Sequence, residues 1–332
     1  MAEARYDVIG IGNAIVDIIG RCDEAFLAQV GVAKGSMRLV DAGEIKTIYA
    51  GMGPAFETSG GSAANTIAGV ASFGGRAAFI GTIADDDFGQ IFSHDIRSIG
   101  VTFNAPPVSN GTPTSRSLIL VTPDGERTMN TYLGVSTNFG EAQLDLELIR
   151  ASSILYLEGY LFDEPQAKQA FRSALQTAKG SGRKTALTLS DGFCVDRHRD
   201  EFLKLIRSGI DILFANESEI KSLYQTDSFD IAAEKARADT RLAVLTRSAK
   251  GSEIHYEGET IAIAPFPVDE VVDTTGAGDL YAAGFLFGYA RQLDLKIAGQ
   301  LASLAAAEII SHTGARPAIS LADLARRHGL IS

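Results

Sequence analysis

The segment Asp273–Asp279, with the sequence Asp-Thr-Thr-Gly-Ala-Gly-Asp, carries the clearest potential for chemistry in this chain. It leads into an apolar stretch that predicts a helix. The small residues Gly276, Ala277 and Gly278 leave backbone N–H groups accessible at the positive end of that helix, an arrangement that binds anions. Asp279 would lie beside the anion, where a carboxylate is a candidate general base. The alternative is a glycine-rich turn with a capping aspartate.

A second glycine-rich segment, Ser59–Thr66, opens another predicted helix. Gly60 and Gly61 would let a ligand approach the backbone closely. Ser62 and Asn65 add neutral hydrogen-bonding groups, which suit a polyhydroxyl compound or a nucleoside better than a charged one. A helix start with an ordinary polar cap is the alternative.

A third segment, Gly10–Asp17, begins like a dinucleotide-binding fingerprint, but Ile15 stands where the third glycine is required. Asn13 and Asp17 are polar residues within an apolar strand pattern. Four residues apart, they are predicted to share one strand face and to bind vicinal hydroxyls together. A buried Asp–Asn pair that satisfies itself is the alternative.

Composition excludes several other classes of protein. The chain has 332 residues, with 30 Lys and Arg against 41 Asp and Glu, so its net charge of −11 argues against nucleic-acid or anionic-membrane surfaces. The two cysteines, Cys22 and Cys194, form no disulfide framework. The first residues, 1–7, lack signal-peptide features, and no apolar run is long enough to span a bilayer, so a cytoplasmic protein is predicted. P-loop, hydrolase-elbow and His-Glu-x-x-His motifs are missing from the sequence.

Alternating strand and helix patterns after about residue 144 predict a mostly parallel sheet with helices on both faces. Ligands bind such sheets at the carboxyl ends of the strands. The earlier strands are short, and Pro123-Asp124-Gly125 predicts a hairpin between Ser115–Val121 and Arg127–Tyr132. We expect these early strands to form a small sheet that lies over the ligand edge as a lid. Three helices close the chain, and Thr275 is expected to cap the first.

Four segments, in order and spacing, make the chain resemble the ribokinase-like (PfkB) family of carbohydrate and nucleoside kinases. Asp273–Asp279 and Gly60–Asn65 match the family's C-terminal and N-terminal signatures. Asn216–Glu219 matches its Asn-x-x-Glu element, and Leu245–Gly251 matches a strand and turn on the nucleotide side. The resemblance covers nearly the whole chain. It implies ATP-dependent transfer of a phosphoryl group to a hydroxyl.

The resemblance also implies a role for each matching residue. Asp279 corresponds to the catalytic base, with an anion hole formed by Gly276, Ala277 and Gly278. The residues implied to bind the acceptor are Asn13, Asp17, Gly60, Gly61, Ser62 and Asn65. Those implied to bind ATP are Asn216, Thr246, Gly251, Thr275 and Arg127. Asn216 and Glu219 are implied to arrange the Mg²⁺ of Mg-ATP, through indirect contacts.

Within the family, the chain is similar to the adenosine kinases. Thr112-Pro113-Thr114 resembles a lid motif, although Pro113 replaces a glycine. Leu189–Phe193 resembles a segment whose phenylalanine flanks the purine, and Tyr160 is a second aromatic candidate. The family's K⁺ site uses a hydroxyl-bearing residue near the place where Ala318 stands here, so the expected cofactors are Mg²⁺ and, as an open alternative, K⁺. The predicted reaction is phosphorylation of the adenosine 5′-hydroxyl.

The implied architecture is one ribokinase-like unit over residues 1–332. Its large α/β domain is expected to comprise mainly 1–12, 60–110 and 135–332, and its lid about 13–59 and 111–134. A sugar kinase of this fold, or a kinase of inosine, guanosine or cytidine, remains an alternative. A non-catalytic nucleotide sensor is a remote one. The expected partners are ATP and a nucleoside or sugar, with no nucleic acid or membrane, and the protein is expected to be a monomer or homodimer.

Overall fold

Short apolar runs form the central strands of the large sheet, and amphipathic or wholly apolar stretches form the helices that cover them. The computed structural model describes residues 4–332. In these residues the strands are β1 (Tyr6–Ile11), β2 (Ile15–Arg21), β3 (Met37–Leu39), β4 (Ala55–Gly60), β5 (Ala77–Ile80), β6 (Ser115–Val121), β7 (Arg127–Tyr132), β8 (Ser152–Glu158), β9 (Lys184–Thr188), β10 (Ile212–Asn216), β11 (Leu242–Thr246), β12 (Ser252–Tyr256) and β13 (Glu259–Ile263).

The helices of the same residues lie between these strands and after the last of them. They are α1 (Glu24–Val30), α2 (Ala42–Gly51), α3 (Ser62–Ser72), α4 (Asp87–Ser98), α5 (Leu146–Arg150), α6 (Pro165–Gly180), α7 (Gly192–Arg207), α8 (Glu217–Tyr224), α9 (Phe229–Asp239), α10 (Ala277–Ala290), α11 (Leu295–Ile310) and α12 (Leu321–Arg327).

Eight strands form the large sheet, in the order β13-β12-β11-β10-β9-β8-β1-β5. The six strands from β11 to β5 run parallel, and β12 and β13 add an antiparallel hairpin at one edge. Because parallel strands end at one edge, the segments that follow β1, β8, β9 and β10 all emerge together there.

Neighbouring strand residues point to opposite faces, and each face has its own core. On one face, Val8 and Phe214 pack with residues of α3, α4, α10, α11 and α12. On the other, Ile9 and Leu213 pack with residues of α5 to α9. The two buried faces explain why the central strands are apolar throughout.

Five strands form a second, smaller sheet in the order β3-β7-β6-β2-β4. Its outer face, which includes Ile18 and Leu118, packs against α1 and α2. The inner face presents alternating residues such as Asp17, Ser117 and Ile119 to a cavity above the large sheet. The predicted fold, a mostly parallel sheet with helices on both faces and a small second sheet, is confirmed. Its division into two domains stays a prediction.

Two local expectations about the site were wrong. Asn13 and Asp17 do not share a strand, because β1 ends at Ile11 and β2 begins at Ile15. Gly12 follows β1, and any side chain at this position would overlap the Glu158 carboxylate. Asn13 therefore lies in the link between the two sheets.

The start of α10 also differs from the prediction. Thr275 does not cap this helix, because the N-cap is Gly276 in the left-handed region, with φ 79°. The backbone N–H of Thr275 instead donates to Asp273 Oδ1 at 3.0 Å. Among residues 4–332, no helix is long and apolar enough to cross a membrane.

Candidate active site

A cavity of about 610 Å³ lies between the carboxyl edge of the large sheet and the inner face of the small sheet. A volume of this size is typical of small-molecule sites. Most of the predicted site residues line it, although they come from six separate parts of the chain. They are Asn13, Asp17, Gly61, Ser62, Asn65, Tyr160, Phe193, Asn216, Glu219, Thr275, Gly276, Ala277, Gly278 and Asp279.

The first turn of α10 opens onto the cavity floor. Among the described residues, no side chain caps the helix at Gly276, and the Ala277 N–H donates to the Thr274 carbonyl oxygen at 3.2 Å. Gly276 packs against Ala315, where an added methyl would lie 3.2 Å from the Ala315 Cα. The helix start combines backbone N–H groups that no side chain of the described residues caps with the positive end of the helix dipole, which together can hold an anion.

Asp279 lies in this first turn and faces two neutral donors from α3. The Ser62 hydroxyl donates to its Oδ1 at 2.6 Å, and the Asn65 side-chain amide donates to its Oδ2 at 3.1 Å. Enclosure by protein raises the pKa of Asp279, while these two hydrogen bonds and the Arg316 charge lower it. The result is a carboxylate that is held in place and made more basic, as proton abstraction requires.

Glu158, which the sequence analysis missed, organises the acceptor side of the cavity. The Asn13 side-chain amide donates to Glu158 Oε1 at 2.7 Å, and the Asn13 backbone N–H donates there at 3.2 Å. The Ala63 N–H donates to its Oε2 at 2.7 Å. Burial raises the pKa of Glu158 to about 7, against the effect of these donors. A polar residue ending the apolar strand β8 was the signal available in the sequence.

Asp17 points from β2 toward the same space as Asn13. Burial raises its pKa to about 7, an effect that the positive charges of Arg316 and Arg127 oppose. Gly60 does not itself line the cavity but lies against Asp17, and a side chain there would overlap the Asp17 carboxylate. Gly61 has φ 95°, and a side chain there would overlap the Asn13 carbonyl oxygen. Both glycines are thus required for the positions of Asn13 and Asp17.

Asn216 and Glu219 form the start of α8 at the end of β10. The Asn216 side-chain oxygen accepts from the Glu219 N–H at 2.9 Å. In return, the two Glu219 oxygens accept from the Asn216 N–H at 3.0 Å and from its side-chain amide at 2.6 Å. Burial raises the pKa of Glu219 to about 7. This capping box fixes both polar side chains at the cavity wall.

Three residues predicted to bind ATP lie outside the cavity lining. Thr246 ends β11, and Gly251 follows in a turn with φ 84° that no larger residue fits without strain. Arg127 begins β7, and its Nη2 lies 2.8 Å from Asp273 Oδ2, with both side chains buried. Arg127 therefore joins the small sheet to the glycine-rich loop, and its contact with ATP stays a prediction.

Two aromatic residues line one side of the cavity. The Tyr160 hydroxyl donates to the Ser190 carbonyl oxygen at 3.3 Å. Phe193 lies in the first turn of α7, which begins at Gly192 because Asp191 caps it. Phe193 is 75% exposed, so its ring is available at the cavity mouth. Large flat side chains in this position can contact a planar group.

Arg316 is a second residue that the sequence analysis missed. It follows Ala315 in the loop between α11 and α12, and its Nε donates to the Asn65 Oδ1 at 3.0 Å. Burial lowers its pKa to about 10, so it remains positively charged at neutral pH. No short motif in the sequence links this arginine to the glycine-rich segments.

The model of the pfkB carbohydrate kinase family matches residues 56–321. The adenosine kinase from Sinorhizobium meliloti is 52% identical, with a TM-score of 0.93 over 98% of this chain and 100% of that one. A probable sugar kinase from Rhizobium etli CFN 42 is 48% identical, with a TM-score of 0.94 over 99% of this chain and 100% of that one. An ATP-dependent ribose-1-phosphate kinase from Halopiger xanaduensis is 28% identical over 264 residues, which cover 79% of this chain and 83% of that protein.

The chain belongs to the PfkB family of carbohydrate kinases. The predicted family and the predicted ribokinase-like fold are confirmed. The chain is an ATP-dependent kinase with a hydroxyl group as acceptor, as predicted.

Proposed function

We propose that the protein transfers the γ-phosphoryl group of ATP to the 5′-hydroxyl of adenosine. The observation that carries the proposal is Asp279, a carboxylate fixed by Ser62 and Asn65 in the first turn of a helix that no side chain of the described residues caps. The aromatic pair Tyr160 and Phe193 favours an acceptor with a planar base. The 52% identical adenosine kinase supports the same acceptor.

In the proposed reaction, Asp279 takes the proton of the acceptor hydroxyl. The bond between that oxygen and the γ-phosphorus forms as the bond to the ADP oxygen breaks. The backbone N–H groups of Gly276, Ala277 and Gly278 stabilise the negative charge on the phosphoryl oxygens. They suit this task because no side chain caps the helix at Gly276 and the loop is packed in place.

The acceptor's ribose would be held by Asn13 and Asp17. The Asn13 amide nitrogen is occupied by Glu158, which leaves the Asn13 side-chain oxygen to accept from a hydroxyl. When Asp17 is ionised, both of its oxygens accept hydrogen bonds and neither donates. Both residues line the same cavity, so their two acceptor groups match the two hydroxyl donors of a vicinal diol.

Mg²⁺ is proposed to reach the site bound to the phosphates of ATP. In the part of the chain that the structure describes, no group of three or more His, Cys, Asp or Glu residues is placed to hold a metal. Both Glu219 oxygens already accept from Asn216, so contact through water is the arrangement that fits. This agrees with the preference of Mg²⁺ for phosphate and water ligands. When bound, Mg²⁺ supplies positive charge to the phosphate oxygens.

K⁺ is the other cation that the family resemblance implies. Ala318 offers no hydroxyl ligand, and its backbone N–H donates to Glu308 Oε1 at 2.9 Å. We propose that Mg-ATP suffices for turnover. The assay below is therefore run with and without K⁺.

The proposed location is the cytoplasm, where ATP is available. Cys22 and Cys194 are free thiols, which suits a reducing compartment. Monomer and homodimer both stay open for this chain, and a solution mass measurement distinguishes them.

The test is ADP release from Mg-ATP with a panel of adenosine, inosine, guanosine, cytidine, ribose and fructose. The highest kcat/KM on adenosine is expected. Preference for ribose or fructose would refute the adenosine assignment, and the family's sugar kinases are the reason to include them. No turnover with any acceptor would refute the proposed function.

A further inference from the structure

Arg316 determines which way the Asn65 amide faces. Its Nε can only donate, and the oxygen of Asn65 accepts this hydrogen bond at 3.0 Å. The amide nitrogen must therefore point the other way, where it donates to Asp279 Oδ2 at 3.1 Å. A flipped amide would place two donors against each other at Arg316, and its oxygen against a carboxylate at Asp279.

The loop that carries Arg316 is fixed to the glycine-rich segment. The Gly314 N–H donates to Asp273 Oδ2 at 3.0 Å, and Ala315 packs against Gly276. Arg316 is therefore held at a set position relative to the first turn of α10. Its positive charge therefore has a fixed position relative to Asp279, which lies in that turn.

The charge of Arg316 is also only partly compensated. Its Nη2 is buried without a hydrogen-bond partner among the described residues, which costs free energy. The carboxylates that oppose this cost are Asp17, Asp95 and Asp279. A guanidinium kept at this free-energy cost, whose charge acts on the Asp17 and Asp279 carboxylates of the cavity, indicates a role in the site.

Asp279 needs a positive neighbour because most groups around it are acidic. The titratable groups that act on it or that it acts upon are Asp17 from β2, Tyr156 and Glu158 from β8, Tyr160 from the turn after β8, Glu219 from α8, and Arg316. Each carboxylate in that set favours protonation of Asp279. Arg316 supplies the positive charge in the set.

We propose that Arg316 is a positioning residue for the reaction, which orients Asn65 toward Asp279 and keeps Asp279 ionised and ready to accept a proton. This role rests on the proposed function of Asp279 as the base. It has two separable parts, the hydrogen bond through Asn65 and the positive charge.

Two substitutions separate the parts. Arg316→Lys keeps the charge but loses the planar fork of donors. Arg316→Gln keeps a side-chain N–H donor but removes the charge. The matched control is Arg326→Gln, which removes an exposed arginine whose partner is Asp323 in the neighbouring turn. For every variant, kcat and both KM values are measured from pH 5.5 to 8.5, with the urea midpoint as a check of folding.

Arg316→Gln is expected to lose roughly tenfold or more in kcat at pH 7.5, part of the rate that a general base supplies. Between pH 8 and pH 6, the kcat of Arg316→Gln should also decrease at least about threefold more than the kcat of Arg316→Lys. The reason is that a carboxylate without a positive charge nearby becomes protonated at higher pH. The KM for ATP should not change. Arg316→Lys should lose kcat while it keeps the wild-type pH profile.

A double-mutant cycle tests the path through Asn65. In an Asn65→Ala background, Arg316→Lys should cost little further kcat, because the amide that it orients is already gone. Equal losses in both backgrounds would overturn this path. Wild-type kcat and pH profile in both Arg316 variants would overturn the inference as a whole. A loss in Arg316→Gln that does not grow between pH 8 and pH 6 would overturn the part of the role that rests on the charge.

The two hypotheses fail in different places. An error in the proposed function shows in the wild-type protein, which would then turn over none of the panel. An error in the role of Arg316 shows only in the variants, while the wild type remains active. If Arg316→Gln does not fold, Arg316→Lys still decides the matter, because full kcat in that variant would refute the hydrogen-bonding role.

Discussion

Replacement of Asp279 by asparagine should almost abolish turnover while the fold and both binding sites remain. The asparagine has nearly the same shape. Its oxygen can accept from the Asn65 amide, and its nitrogen can donate to the Ser62 hydroxyl oxygen, so both contacts of the carboxylate have neutral substitutes. What is lost is the ability to take a proton. General bases contribute roughly 10²–10⁴ in rate, which corresponds to about 3–5 kcal/mol of barrier.

The assay is single-turnover formation of ADP, with binding of ATP and of the acceptor measured by calorimetry on the same preparation. Stability should not fall, because the variant no longer buries a carboxylate whose pKa is raised by its surroundings. Asp145→Asn is the matched control, since Asp145 caps α5 and asparagine caps helices equally well. A variant that binds both substrates and keeps kcat within about threefold of wild type would refute Asp279 as the base.

Three substitutions test the residues around Asp279. Asp17→Ala should raise the Kd for the acceptor roughly 10- to 100-fold, the value of a hydrogen bond to a charged group, with ATP affinity unchanged by calorimetry; unaltered acceptor binding would contradict the clamp. Gly61→Ala should lower the free energy of unfolding by about 1–3 kcal/mol, because φ is 95° and the methyl meets Asn13; a urea midpoint equal to wild type would contradict this. Burial raises the pKa of Glu158 from 4.5 to about 7, so the stability that it contributes is present below pH 4.5 and lost as pH rises through 7. Glu158→Gln should therefore lose less stability than wild type between pH 5 and pH 8, by at most about 3 kcal/mol, and parallel urea curves would count against it.

Local signals in the sequence predicted several elements well. The hairpin of Ser115–Val121 and Arg127–Tyr132 has the predicted bounds, because Pro123-Asp124-Gly125 specifies its turn. The three helices predicted to close the chain are present as α10, α11 and α12. The hairpin of β12 and β13 was not identified from the sequence. Its turn is formed by Glu257 and Gly258, both with positive φ, and glutamate is not a usual sign of that geometry.

Some residues of the candidate site could be identified from the sequence, and others could not. Asp279 and the glycines near it could be identified because their chemistry is contained in seven consecutive residues. Glu158 and Arg316 could not, because they act on residues 145 and 251 positions away. Burial and partners that arise only in the fold give these two side chains their importance. In the sequence alone, Glu158 is a polar residue at the end of an apolar strand, and Arg316 is one arginine among many.

The Asp273 carboxylate connects parts of the chain that are made at very different times. It accepts from Thr275 in its own loop and from Gly314 near the end of the chain, and it pairs with Arg127 of the small sheet. During synthesis from the N-terminus, Arg127 emerges long before Asp273, and Gly314 emerges last. An incomplete chain therefore cannot fix the loop that would hold the phosphates of ATP. The loop should therefore become fixed only after Gly314 has been synthesised, so chains that stop before Gly314 should not bind the phosphates of ATP.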